Sequence, residues 1–198
     1  MSRKKVLILE GSPRKNGNSA ILAGQVAAGA KDAGAEVETI FLHYLSIQPC
    51  SACEACKGAR EDDCTIEDDM KPLYPKIRSA DALVFASPIY FFTLSAQTKL
   101  FIDRCYALGA TTAQDTYETD FAGKKIGIVL TYGDVDPFRS GAVNALRTFQ
   151  DMFQYVGSEI VGMVYGTALG PGEIRSNTNL MKEAYDLGKQ LGTNPTTE

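Results

Sequence analysis

Four of the chain's five cysteines fall within residues 50–64, CSACEACKGAREDDC, at the spacing C-x2-C-x2-C-x7-C. Sulfur at that density can ligate metal, hold an iron–sulfur cluster, exchange thiols or form disulfides. Three cysteines at successive steps of three can place three thiolates around one face of a cubane, as the ferredoxin run does. Ferredoxins take their fourth ligand from elsewhere, whereas here Cys64 can supply it locally. Zinc more often uses two separated C-x2-C knuckles; no second one exists, and the one histidine, His43, lies upstream. A thiol redox pair needs a single C-x-x-C and leaves the other cysteines unexplained. The acidic run Glu61-Asp62-Asp63 opposes a cluster, since it would lower the potential or disfavour assembly. Cluster, free thiols, zinc and disulfide therefore all stay open at this point.

A second stretch with chemical content is Gly11-Ser12-Pro13-Arg14-Lys15-Asn16-Gly17-Asn18-Ser19, between an apolar strand and the helical start Ala20-Ile21-Leu22. Such a turn aims free backbone amides and the positive end of a helix dipole at one point, which suits a phosphate. Ser12, Asn18 and Ser19 add donors and Arg14 adds charge. Neither a Walker A loop nor the G-x-G-x-x-G fingerprint can be written on it. Two later strand ends carry aromatics, Ser87-Pro88-Ile89-Tyr90-Phe91-Phe92 and Thr131-Tyr132-Gly133-Asp134. Alone, these rings would read as helix packing. Beside a phosphate loop they can flank a flat ring, and a phosphate-tailed aromatic ligand such as FMN fits.

The elements that must position these residues are legible as alternation. Lys5–Leu9, Val37/Thr39/Phe41, Ala82–Ala86, Ile126–Leu130 and Ile160–Val164 read as strands, most of them buried on both faces as in a parallel sheet. Ala142, Leu146, Phe149, Phe153 and Val156 recur at helical spacing before Gly157, and Leu180, Ala184, Leu187 and Leu191 before Gly192. Ser95 can cap a helix whose buried stripe is Phe101, Cys105 and Leu108, with Cys105 as an apolar core residue. The stretch Asp68–Ser79 reads least clearly, because Pro72 and Pro75 remove amide donors; a helix from near Lys71 tolerates both best. His43 reads as a loop residue without a partner. Five strands alternating with helices imply one doubly wound, three-layer α/β domain over 1–198, with its ligand beyond the carboxyl ends of the strands. The Cys loop leaves that same edge, which places it beside the ligand loops.

Composition narrows the function classes. The 198 residues suffice for one core without staples, and a formal net charge of −4 with no basic block argues against nucleic acid or acidic membranes as partners. No apolar stretch reaches transmembrane length. The opening MSRKKVLILEGSPRK has only Val6–Leu9 as an apolar run and no cleavage site, so it is not a signal peptide. The expected compartment is the cytoplasm, where thiols stay reduced.

GSPRKNGNS, the sulfur-rich loop followed by Asp68-Asp69-Met70, SADALVFASPIYFFTLSAQTKLFIDR and AYDLGKQL together resemble the NADPH-dependent FMN reductase family, in particular its iron–sulfur flavoprotein branch. The resemblance spans roughly residues 5 to 190. It implies a flavodoxin-like fold with a five-stranded parallel sheet in the order 2-1-3-4-5, and FMN as cofactor. Position by position, it implies that Ser12, Arg14, Asn18 and Ser19 hold the phosphate. Pro88, Ile89, Tyr90, Phe91, Tyr132 and Gly133 would line the isoalloxazine, and Cys50, Cys53, Cys56 and Cys64 would ligate a [4Fe–4S] cluster. Related reductases without a cluster carry similar cysteines.

Three functions follow as expectations. One is an iron–sulfur flavoprotein passing electrons between a ferredoxin-like carrier and an acceptor. Another is an NAD(P)H-dependent FMN or quinone reductase with free thiols, and the third a non-catalytic flavin-binding domain with a zinc-stiffened loop. The protein's part would be binding, orientation and tuning, so no acid–base catalyst is expected. The family resemblance further implies a homodimer or homotetramer, with the long loops Ala110–Gly123 and Gly166–Asn177 as its contacts.

Overall fold

The structure, a computed structural model, describes residues 3–57, 64–111 and 116–193. Its strands are β1 (Lys5–Glu10), β2 (Glu36–Phe41), β3 (Ala82–Tyr90), β4 (Thr93–Leu94), β5 (Gly109–Thr111), β6 (Tyr117–Thr119), β7 (Lys125–Tyr132) and β8 (Glu159–Thr167). The helices are α1 (Asn18–Asp32), α2 (Leu73–Ser79), α3 (Ala96–Arg104), α4 (Pro137–Ser140), α5 (Ala142–Tyr155) and α6 (Thr178–Gly192). The main sheet is parallel in the order β2-β1-β3-β7-β8, the flavodoxin-like arrangement, with β4 folded back antiparallel on the end of β3. The pair β5–β6, between α3 and β7, is too short to show in the sequence pattern.

The central strands β1, β3 and β7 are apolar on both faces because both are covered. Leu7, Leu9, Leu83 and Phe85 face a core built with α2, α3 and α5, where Phe85 meets Phe149 and Phe153 at ring distances of 5.5 and 5.2 Å. Val6, Ile8, Val84 and Ala86 face α1 and α6 on the other side. α1 is rich in alanine and glycine, and α6 approaches it closely. A Cβ on Gly29 would stand 1.9 Å from the Tyr185 carbonyl oxygen, and one on Gly188 2.0 Å from that of Val26.

The unclear stretch resolves by capping geometry. Residues 68–72 turn, Pro72 occupies the N-cap position, and Pro75 falls in the first turn of α2, where its missing amide has no helical partner to lose. Ser95 caps α3 as expected, its Oγ accepting from the Thr98 amide. α3 ends at Arg104 and a 3₁₀ turn continues over Cys105–Leu108, which leaves Cys105 only half-buried while Phe101 and Leu108 are in the core. His43 sits in a 3₁₀ turn, Leu42–Tyr44, with its Nδ1 3.4 Å from Gln97 Nε2, so it has a partner after all. Among the described residues no helix is long and apolar enough to cross a membrane.

Candidate functional site

β1, β3 and β7 end at one edge of the sheet, and the loops that follow them enclose a cavity of about 220 Å3. Nine of the ten residues proposed for a flavin line it: Ser12, Arg14, Asn18, Ser19, Pro88, Ile89, Tyr90, Tyr132 and Gly133. Phe91 does not. It adopts a left-handed backbone (φ 43°), is 95% exposed, and makes an edge contact with Phe92 at 5.7 Å. β3 ends at Tyr90, and the left-handed pair Phe91–Phe92 turns the chain back into β4.

α1 enters this cavity with its N-terminus uncapped. Gly17 occupies the N-cap, no side chain caps it, and the first helical bond runs from the Ile21 amide to the Gly17 carbonyl. The amides of Asn18, Ser19 and Ala20 are thus the helix's orphan donors, at the positive end of its dipole. Gly17 is required here, since a Cβ would meet Ser12 Oγ at 2.9 Å and the Arg14 carbonyl oxygen at 3.1 Å. The loop is pre-shaped by its own side chains. Ser12 Oγ accepts from the Arg14 amide at 3.1 Å. Asn18 donates from Nδ2 to the Gly170 carbonyl at 2.9 Å and accepts at Oδ1 from the Ile174 amide at 3.3 Å.

Asn18 therefore ties the loop after β8 to the phosphate loop, and Ala168, Leu169 and Pro171 complete the wall together with Thr131. Sequence reasoning assigned 166–177 to a subunit contact; here its first part closes the cavity of its own chain. Only its length marked it, because Leu169-Gly170-Pro171 carries no side chain of distinctive chemistry. A second residue missed is Glu10, the last of β1. It is fully buried, with Oε1 accepting from the Ser12 amide at 2.9 Å and the Ser19 hydroxyl at 3.0 Å. A charged residue closing an apolar strand reads as a simple terminus, and nothing in the spacing reveals its burial.

The lining holds few titratable groups. Burial pushes the Tyr132 hydroxyl up, so it remains a neutral donor across the physiological range.

The cysteines lie elsewhere. The segment after β2 is pinned at Gln48, whose amide donates to Asp68 Oδ2 at 2.8 Å and whose carbonyl accepts from Arg104 Nη1 at 2.9 Å. Lys57 donates to the carbonyls of Tyr106 and Gly109, beyond the far end of α3. α3 starts at the opposite end, where Ser95 Oγ donates to the Gly11 carbonyl at 2.8 Å. Its nine residues rise roughly 13 Å. The expectation that the cysteines would sit beside the ligand loops fails within one chain, because the segment crosses α3 before Cys50. Cys50 instead borders a larger apolar cavity of about 480 Å3, lined by Ile102, Cys105, Tyr106, Phe121 and Tyr155. That cavity has greater volume and the hydroxyls of Tyr106, Tyr117, Thr119 and Tyr155, but of the helices only the C-terminal parts of α3 and α5 border it; the orphan amides of a helix start open into the smaller one.

All four thiols are free. Cys53 is flanked by two left-handed residues, Ala52 (φ 52°) and Glu54 (φ 57°), a backbone that non-glycine residues adopt at a cost. The Ala55 amide, then the Ser51 and Thr65 hydroxyls, hold its thiol below the ordinary value. Burial pushes the Cys56 thiol up, opposed by Lys57. Cys64 is buried. Among the described residues no three His, Cys, Asp or Glu side chains are grouped to hold a metal ion. Glu61, Asp62 and Asp63 lie outside the described residues.

The family described as NADPH-dependent FMN reductase matches residues 4–167. The chain is 33% identical over 159 residues to an iron-sulfur flavoprotein of Methanosarcina thermophila, covering 80% of this chain and 77% of that protein. It is 28% identical over 154 residues to the FMN-dependent NADH:quinone oxidoreductase of Vibrio parahaemolyticus, covering 77% of each. In fold it is similar to the NAD(P)H:quinone oxidoreductase of Methanothermobacter marburgensis, with a TM-score of 0.75 at 19% identity, over 98% of this chain and 99% of that one. By the match to its sequence, the chain belongs to the NADPH-dependent FMN reductase family, a family of oxidoreductases.

Proposed function

We propose that this protein is an iron–sulfur flavoprotein, binding FMN in the 220 Å3 cavity and a [4Fe–4S] cluster at Cys50, Cys53, Cys56 and Cys64. The observation that carries the flavin half is the uncapped start of α1 opening into a cavity walled by strand-end residues. The orphan amides of 18–20, with Ser12 and Arg14, would hold the phosphate. Pro88, Ile89, Tyr90 and Tyr132 would line the ring, and Gly133 leaves room, since a Cβ there would meet only Leu169 at 3.6 Å. Bound FMN would supply hydride acceptance and stepwise electron release, and a cluster would carry single electrons. The chain's own residues bind and orient, and no buried acid or base lines the cavity apart from the tyrosine hydroxyls. Electrons would come from NAD(P)H or a ferredoxin-like carrier and leave to a quinone or another small acceptor.

The cluster half rests on four free thiols at compact spacing, with Cys53 held toward the thiolate form that ligation needs. A second reading, an NAD(P)H-dependent FMN or quinone reductase with free thiols, is favoured by the thiols not being gathered into a metal site. Membership of a reductase family leaves the zinc-stiffened, non-catalytic domain with least support. One experiment separates them. After anaerobic reconstitution, iron and acid-labile sulfide should each reach about four per chain in the wild type, as one cubane requires. Cys53→Ser should retain its FMN and lose most of the iron. Wild type that holds FMN without iron would overturn the cluster reading, and NAD(P)H consumption by that FMN-loaded protein would then establish the plain reductase over the non-catalytic domain.

A further inference from the structure

The strand VLIL ends in a glutamate where a solvent-facing residue would be ordinary, yet Glu10 is 0% exposed. Val6 and Ile8 pack toward α1 and α6 while Leu7 and Leu9 pack the other way, so Glu10 follows Val6 and Ile8 to the α1 side. It lies beneath the start of α1. Oε1 takes both available donors, the Ser12 amide and the Ser19 hydroxyl, and Oε2 is buried without a partner. An ionised carboxylate with a bare buried oxygen is costly, whereas the neutral acid needs only one acceptor.

Among the described residues no cation compensates for it. Ala82–Tyr90 of β3 carries no charged residue, and the first charged residue of α1 is Lys31, in its last turn. On β2 the charges Glu36 and Glu38 sit toward the end paired with Lys5 and Leu7. Before α6, Glu173 accepts from the Leu169 and Gly170 amides, and Arg175 is exposed. α6's own charges, Lys182, Glu183, Asp186 and Lys189, all lie on its solvent side. In the loop, Arg14 and Lys15 are exposed, Lys15 lying over the Tyr44 ring at 4.7 Å. On the α3 side the residues facing the adjacent Gly11 are the neutral Ser95 and Thr98, and His43 is turned to Gln97.

We propose that Glu10 is a positioning residue for the cofactor phosphate: its neutral carboxyl anchors Ser12 and Ser19 from beneath, and the loop takes up the phosphate together with one proton on Glu10. The inference rests on the FMN reading. Ser12 and Ser19 line the cavity, so an ionised Glu10 would place a second anion one hydrogen bond from the bound phosphate. Burial, the largest influence, pushes Glu10 up to about 7, and the Ser12 amide and Ser19 hydroxyl only partly offset it. A phosphate dianion nearby raises it further. Glu10 is thus neutral below about pH 7. Above that it must be protonated on binding, at a loss of up to about tenfold in affinity per pH unit.

The test is FMN titration of FMN-free protein by fluorescence quenching, in a range above the phosphate's own pKa of about 6. From about pH 7.5 to 9, wild type should weaken by close to tenfold per unit. Glu10→Gln keeps the anchor without the charge, and should show a flat profile and bind more tightly than wild type at the alkaline end. Glu10→Ala loses the anchor and should bind weakly at every pH without a slope. Calorimetry in two buffers of different ionisation heat should find about one proton taken up per FMN by wild type and none by Glu10→Gln. An equal slope in wild type and Glu10→Gln, or no proton uptake, overturns the proposal. If no variant and no wild type binds FMN at any pH, the flavin reading falls and takes this one with it.

Discussion

Replacing Asp68 with alanine should release the cysteine segment at its root. Arg104 is 1% exposed, and its guanidinium grips Asp68 with two bonds, Nη1 to Oδ2 at 2.5 Å and Nη2 to Oδ1 at 3.2 Å. The same carboxylate accepts from the Gln48 amide at 2.8 Å and the Met70 amide at 3.0 Å. Asp68→Ala therefore strands a buried cation, leaving it the Gln48 carbonyl alone. Removing one partner of a buried pair typically costs about 3 to 5 kcal/mol. With a urea dependence of about 2.5 kcal/mol per molar, the denaturation midpoint should fall by about 1 to 2 M. Asp68→Ala combined with Arg104→Met removes both charges and should recover at least half of that loss. The pH dependence has a definite sign. Burial alone would raise Asp68, but the Arg104 bonds and the two amides hold it below its usual range. Its stabilisation is complete above the ordinary carboxylate range and disappears as pH falls through the lowered value. The variant should lack that acid limb. A loss below about 1 kcal/mol, or a double variant no better than the sum of its parts, would refute the account.

Two further outcomes can be checked directly. Ser19→Asp puts a carboxylate among the orphan amides of α1 and should weaken FMN binding at least about a hundredfold by fluorescence titration; an unchanged affinity would remove the phosphate assignment. Gly188→Ala inserts a methyl 2.0 Å from the Val26 carbonyl oxygen and forces α1 and α6 apart. It should cost about 3 kcal/mol and lower the melting temperature by about 6 to 12 °C in a thermal scan, against no change if the helices separate freely.

β1, β3 and β7 were legible because they are buried on both faces and read as nearly unbroken apolar runs, while the edge strand β2 showed only as alternation. The cavity-lining residues after β1 were legible because strand, turn donors and helix occur in that order along the chain. What stayed hidden depends on distance across the fold. Asn18 looks like a helix cap, and only the structure turns it toward Gly170 and Ile174. Glu10 looks like a polar strand end. The path of residues 46–57 depends on Arg104 and Asp68, which are 36 positions apart and carry no pattern linking them. Phe91, placed at the ring by the family resemblance, lies outside the cavity lining because residues 91 and 92 turn away in left-handed backbone that no sequence pattern announces.

The close seating of α6 on α1 also sets an order of events. Leu22, Val26 and Ala30 on α1 belong to the same core as Leu180, Ala184, Leu187 and Leu191. As the chain emerges from the ribosome, α1 and the phosphate loop are made about 150 residues before their cover and the Gly170 carbonyl that anchors Asn18. From the synthesis of α1 until that of α6 the nascent chain carries an uncovered apolar helix face, a surface for chaperones to guard. Completion of the cavity therefore waits for the segment from Ala168 through α6, and a chain interrupted before it would lack the cavity wall and the cover of α1 together.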